Sequence, residues 1–191
     1  MRVEAIKVGP IATNCYLAWD ETTKEALILD PGDEASKILA DIKKLQLKPK
    51  FIVSTHGHFD HITAIPELKK KLNIPYLANP ADDMIVKATT VLSADQELKE
   101  GDGFEVGSLK FEVLATPGHT PGGICLYCEK EKILFSGDTL FHGTYGRVDL
   151  PYSSEEAMLA SLKKLLQLPP ETHVYPGHGW STTIGSEQNI L

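Results

Sequence analysis

No stretch of this chain approaches the roughly 20 consecutive apolar residues that a helical bilayer span requires, so no membrane partner is expected. The opening MRVEAIKVGP also lacks an apolar segment of signal-peptide length, and the sequence is read as that of a cytoplasmic protein. Basic charge is in short supply: 19 lysines and arginines face 26 acidic residues, for a net charge of −7. The one basic run, KKK at 69–71, reads as the solvated coat of a helix, and a nucleic-acid partner is not expected. Cysteine is scarce too, with Cys15, Cys125 and Cys128 forming an odd set that points to reduced thiols rather than a disulfide framework. Cys125 and Cys128 share a C-x-x-C spacing, but the surrounding GGICLYCEKEKILF reads as strand, turn, strand. On a strand, positions i and i+3 face opposite sides, so these thiols cannot converge on one metal.

What is present fits one globular domain spanning 1–191, with 42% hydrophobic residues to build a sizeable core. Strands are expected at VEAIKV, CYLAW, EALIL, KFIVS, LKFEVLA, GICLYC, KILFS and HVYP. Helices are expected at EASKILADIKKLQ, TAIPELKKKLN, PADDMIVKA and SEEAMLASLKKLLQL, the last with Ser153 or Ser154 as cap. The alternation implies a mixed, layered α/β fold. The segment 79–103 carries no decisive pattern and is read as bearing a mobile loop.

Five apolar runs end in a turn that holds a glycine and a residue able to bind metal: LILDPGD, FIVSTHGH, EVLATPGH, ILFSGD and HVYPGH. Strands lying side by side would bring such turns to one edge of the fold, where α/β proteins place their sites. The densest of them, STHGHFDHI, puts His56, His58, Asp60 and His61 within six positions, although the chain has only seven histidines. Packing three imidazoles and a carboxylate together without a cation would leave polar groups a core cannot satisfy. His56 and His58, one residue apart at a strand end, point the same way in extended backbone and can grip one ion. Asp60 and His61 face a second position. His119 can complete the first set, His178 the second, and Asp138 can bridge the two. Asp30 is expected to organise the loops rather than bind metal, and His142 and His173 are left unassigned.

THGHFDH, TPGHT, SGDTLF and YPGHG resemble the metal-binding motifs of the metallo-β-lactamase superfamily, in its order and over nearly the whole chain. GDTLFHGTYGRVDLP and PGHGWSTTIGSEQN look most like glyoxalase II and its small single-domain relatives. The resemblance implies an αββα sandwich with a binuclear site at one edge of two packed sheets. It implies one ion on His56, His58 and His119, another on Asp60, His61 and His178, and Asp138 between them. The implied cofactors are two divalent ions, zinc first, with iron or manganese suited to the same donors. Two such ions, Asp60, Asp138 and a bridging hydroxide leave a charge of about +1, which favours attack on an electron-rich carbonyl. A thiolate leaves without an acid to protonate it, so the expected reaction is hydrolysis of small thioesters of the hydroxyacylglutathione type. The helical region with which glyoxalase II holds glutathione does not follow the last motif, so weak discrimination on the thiol side is expected. Arg147, Tyr145 and Phe141 are the expected substrate-binding residues; Arg147 matches a basic position near the substrate but could instead pair with Asp149. Asp138 stands where some β-lactamases carry a zinc-binding cysteine, and His58 where the diiron flavoproteins carry a glutamate. The alternatives on this fold are a persulfide dioxygenase with one iron on His56, His119 and Asp138, and a lactonase or other ester hydrolase. Oligomeric state is left open.

Overall fold

A computed structural model describes residues 1–90 and 92–191 of the protein. Its first sheet contains, in spatial as in chain order, β1 (Arg2–Val8), β2 (Thr13–Trp19), β3 (Glu25–Leu29), β4 (Lys48–Val53), β5 (Tyr76–Ala78) and β6 (Gln96–Glu97). The first three strands form an antiparallel meander, whereas β3 to β6 run parallel. Parallel neighbours need crossovers. These are α1 (Ala35–Lys44), the short α2 (Phe59–Ile62) with α3 (Ile65–Leu72), and α4 (Asp83–Thr89).

The second sheet is built from β7 (Gly103–Val106), β8 (Leu109–Ala115), β9 (Ile124–Cys128) and β10 (Ile133–Gly137). A small hairpin, β11 (Leu140–Phe141) with β12 (Thr144–Tyr145), and helix α5 (Glu155–Leu165) precede β13 (His173–Pro176) and β14 (Thr182–Thr183). The spatial order is β14-β13-β10-β9-β8-β7, with β10 and β13 parallel across α5. Ser154 caps α5 by accepting the Ala157 N–H, and Glu155 and Glu156 at its start and Lys163 and Lys164 at its end complement the helix dipole.

Three apolar layers hold these elements as an αββα sandwich. All seven residues of β2 are buried, as expected of a strand covered on both faces. Its Cys15, Leu17 and Trp19 pack with Ile38, Ile42, Ile65 and Leu68 of the helices, while Tyr16 and Ala18 meet Phe111 and Phe135 of the other sheet. On β9, Cys125 and Tyr127 face Met158, Leu162 and Leu165 of α5, whereas Leu126 and Cys128 face inward. The two thiols of CLYC therefore lie on opposite sides of their sheet, and both are free.

The C-terminal ends of β3, β4, β8, β10 and β13 all reach one edge. β3 and β4 are parallel, as are β10 and β13; β8 and β10 each run antiparallel to β9 and hence with one another. A hydrogen bond of 2.8 Å from Ile124 N–H to the Thr55 carbonyl ties the two sheets together there. The segment 79–103 holds α4, over the helix expected at PADDMIVKA, together with β6 and the start of β7; position 91 lies outside the described residues. Pro80–Asp82 forms a 3-10 turn ahead of α4. Among the described residues, no helix is long and apolar enough to cross a membrane.

Candidate metal centre

β4 ends at Val53, so His56 and His58 lie in the turn beyond it rather than on extended strand. Their convergence, expected from strand alternation, comes instead from the bend at Thr55 and His56, which sets the two rings edge to face with centroids 4.8 Å apart. His58 then opens the single turn of α2, which carries Asp60 and His61 inward. Three groups have ligand atoms within 4.8 Å of one another: His56, His58 and His119; Asp60, His61 and His178; and His56, His61 and Asp138. Asp138 lies between the first two, with Oδ2 3.5 Å from His119 Nε2 and 3.6 Å from His178 Nε2, and Oδ1 3.5 Å from His61 Nε2. Gly177 lets the β13 loop close over this point, because a Cβ there would sit 2.2 Å from Asp138 Oδ1.

The surrounding hydrogen bonds select tautomers. His119 Nδ1 lies 2.9 Å from the Arg147 carbonyl, which can only accept, so its Nε2 is left with a lone pair. That nitrogen is 2.9 Å from Nδ1 of His58. Thr55 Oγ1 donates to Asp30 Oδ2 at 2.8 Å and therefore accepts from His56 Nδ1 at 3.1 Å, which leaves His56 Nε2 bare. Asp30 also accepts the Thr55 N–H at 2.6 Å, so it organises the loop as expected. Its Oδ2 is 3.2 Å from His61 Nδ1, within ion-pair range but outside hydrogen-bond alignment. Thr13 Oγ1 and His178 Nε2 hold Asp60 Oδ2 at 2.9 Å and 3.2 Å.

Burial pushes the His56 imidazole well below the usual histidine range, and the nearby His61, His119 and His58 push it further. His58 is driven down to about 4, again by burial first. Both rings are thus neutral at pH 7, the state in which imidazole binds metal. Burial alone would raise the Asp60 carboxyl, but the adjacent His178 and His61 rings and the Thr13 hydroxyl hold it well below the usual carboxylate range. Burial raises Asp138 against the pull of His61, His178 and His119.

These donors fit divalent cations. Among the described residues, His56 Nε2, both ring nitrogens of His61 and Asp138 Oδ1 are buried without a hydrogen-bond partner. Each such orphan costs about 1–3 kcal/mol, and cations between the rings and carboxylates would remove that cost. His142 and His173 lie apart from the cluster: His142 Nδ1 is 3.3 Å from Glu187 Oε1, and His173 is exposed on β13.

Above the cluster opens a cleft of about 400 Å³, lined by Ile11, Phe59, Leu150 and Pro151 together with Arg147 and the exposed faces of His58, Asp60, His119, Asp138 and His178. Arg147 lies on the cleft wall, whereas Tyr145 and Phe141 are not among the residues that line it. Tyr145 packs beside the α5 layer, and Phe141 meets His178 edge to face at 6.3 Å. The apolar wall escaped the sequence reading because Ile11 and Phe59, 51% and 53% exposed, stand in no periodic pattern.

The profile of the Metallo-beta-lactamase superfamily matches residues 8–178. A Bacillus subtilis protein named "Probable metallo-hydrolase YqgX" is 39% identical, covering 99% of this chain and 95% of the relative. The "Hydroxyacylglutathione hydrolase GloC" of Haemophilus influenzae is 35% identical, covering 98% and 95%. Among solved structures, the BLEG-1 B3 metallo-beta-lactamase superposes with a TM-score of 0.90 at 37% identity over 98% of this chain and 97% of that one. A di-iron-bound form of TTHA1623 gives 0.87 at 38% identity over 98% of both chains. ETHE1 from Myxococcus xanthus gives 0.84 at 30% identity over 99% and 82%. With its αββα sandwich, its clustered histidines and aspartates, and a family match over most of its length, the chain belongs to the metallo-beta-lactamase superfamily.

Proposed function

We propose that the protein is a binuclear metal-dependent hydrolase of small acyl thioesters, of the hydroxyacylglutathione type. The observation that carries this reading is the set of orphaned ring nitrogens and Asp138 Oδ1 at the floor of an open cleft. His56, His58 and His119 would hold one divalent ion, Asp60, His61 and His178 the other, and Asp138 would touch both. Two ions there supply the means to acidify water near neutral pH and to polarise a carbonyl. The chain's own residues provide the rest. Thr13 keeps the Asp60 carboxylate aimed, Thr55 and the Arg147 carbonyl hold His56 and His119 in the tautomers that face inward, and Ile11, Phe59, Leu150 and Pro151 shield one side of the cleft from water.

The leaving group follows from what lines the cleft. Apart from the clustered residues, Arg147 is the one ionisable side chain among the described residues there, and a guanidinium does not give up a proton at neutral pH. A thiolate leaves without that help, whereas an amine needs it. The relationship to the Haemophilus influenzae hydroxyacylglutathione hydrolase supports the same substrate class. The B3 metallo-beta-lactamase neighbour marks an amide-type ring as the competing substrate.

A second reading has its own observation. Asp60 Oδ2 and His178 Nε2 lie 3.2 Å apart, within ion-pair range of each other, which suits one iron on His56, His119 and Asp138 and a persulfide dioxygenase. Elemental analysis decides between the two when combined with turnover of one hydroxyacyl group carried on glutathione, on coenzyme A and on a simple thiol. Two ions per chain with thioester hydrolysis support the hydrolase. One iron with oxygen consumption, or no turnover of any thioester by metal-loaded protein, overturns it.

A further inference from the structure

We propose that Asp82 is the positioning residue of one half of the centre: it joins the loop carrying His56 and His58 to the loop carrying His119 and so sets the spacing of those three side chains. The inference rests on the ligand roles proposed above. Asp82 is itself no ligand. It closes the 3-10 turn before α4, in a segment whose sequence shows no motif, and only 2% of it is exposed.

Its carboxylate is bonded to both loops at once. Oδ2 accepts the Gly57 N–H at 2.8 Å, between His56 and His58, and the Thr120 hydroxyl at 2.7 Å, one residue past His119. Oδ1 accepts the Gly122 N–H at 2.6 Å. These donors lie 25, 38 and 40 residues from Asp82 in the chain, so the contact belongs to the tertiary structure. The fit leaves no slack: a Cβ at Gly57 would come within 3.1 Å of the Asp82 Cβ, and one at Gly122 within 2.7 Å of its Cγ. Gly122 admits no side chain there, and at Gly57 one would fit only if Asp82 and Val86 gave way.

A carboxylate suits the place because it offers acceptors in every direction in its plane and has no proton of its own to misdirect. Three charge-assisted bonds from two loops act as a clamp, and the span they fix includes the 2.9 Å between His58 Nδ1 and His119 Nε2. Asp30 plays a separate part, since it bonds Thr55 and faces His61. The two buried aspartates thus divide the support of the centre between them. Residues that orient metal ligands change affinity by about 10- to 100-fold when removed, and Asp82 is expected to do so at one position and not at the other.

The test is chelator competition on metal-loaded protein, with the bound ions counted at each step. Asp82→Ala should weaken one ion by about 10- to 100-fold and leave the second as in the parent. The effect should persist in a His178→Ala background and vanish in a His119→Ala background, where the supported position is already lost. Asp82→Asn should lose less, because its amide oxygen still accepts from Gly57 and Thr120 while its NH2 confronts the Gly122 N–H. Thr120→Val, which removes one bond at nearly constant volume, should shift affinity in the same direction even if Asp82→Ala does not fold. Asp83→Asn, on the surface beside Lys87, should shift nothing. Equal weakening of both ions, or a lower melting temperature of metal-free protein with unchanged affinities, overturns the positioning role and leaves the ligand roles standing. Full metal content in His119→Ala overturns the ligand roles, and the positioning role with them.

Discussion

Arg147 meets the metal centre with its backbone and turns its charge aside. Its carbonyl oxygen lies 2.9 Å from Nδ1 of His119, while its Nε and Nη2 fork onto Oδ1 and Oδ2 of Asp149 at 2.9 Å each. The sequence left open whether this arginine faces substrate or braces its loop. It lines the cleft and it is paired.

Arg147→Ala should therefore keep its metal, because the contact to His119 is made by main chain, and should change kcat/KM only modestly, because its guanidinium is already paired with Asp149 at the surface. Asp149→Asn should free the guanidinium and raise kcat/KM for carboxylate-bearing thioesters relative to uncharged ones. The gain should fade in about 0.5 M salt, where the Debye length falls to a few ångströms. Equal kcat/KM ratios for the two substrate types in parent and variant would rule this out.

Asp138→Ala should disturb both ion positions, since its oxygens face His119 on one side and His61 and His178 on the other. Asp60→Ala should disturb one. Removing the ions with a chelator should lower the melting temperature of the parent, because ions bound only to folded protein stabilise it by mass action. Metal analysis and a thermal melt of each variant read these outcomes.

Acid sensitivity should report on Asp20, at the edge of the sandwich opposite the site. Its carboxylate accepts from the hydroxyl and N–H of Ser108 and from the N–H groups of Thr23 and Thr22, which together hold it well below the usual carboxylate range. A depressed value in the folded state means that this stabilisation is present above the unfolded value of about 4 and is lost as pH falls through the folded one. Asp20→Asn should be less stable than the parent at neutral pH, and the gap should narrow as pH drops below about 4. Urea denaturation of both proteins at neutral pH and near pH 3 gives the comparison; a gap that widens in acid would contradict it.

Leu162→Ala should cost about 2–5 kcal/mol, because this side chain is fully buried between α5 and the outer face of the second sheet. Metal content should not change, since Leu162 packs within the α5 layer, to which none of the clustered histidines and aspartates belongs. Denaturant unfolding beside metal analysis would expose any coupling between the two.

The sequence by itself determined the strands that run through the core and the side chains that gather at their ends. Apolar runs such as LKFEVLA and EALIL form strands where expected, and the side chains marked by THGHFDH, TPGHT, SGDTLF and YPGHG lie within a few ångströms of one another. Both follow from signals local in the chain: alternation reports burial on a strand, and a tight turn after a strand reports where the backbone leaves the core. Strands such as β6, two exposed residues long, carry too little apolar content to register. Tertiary structure alone decided the tautomers of His56 and His119, the apolar wall of Ile11 and Phe59, and the place of Asp82. Each of these depends on groups brought together across the fold, as when the Asp82 carboxylate meets the N–H of Gly122 40 residues away. Hydrogen bonds and packing contacts act over a few ångströms of space, and no spacing along the chain records which distant backbone will arrive within that range.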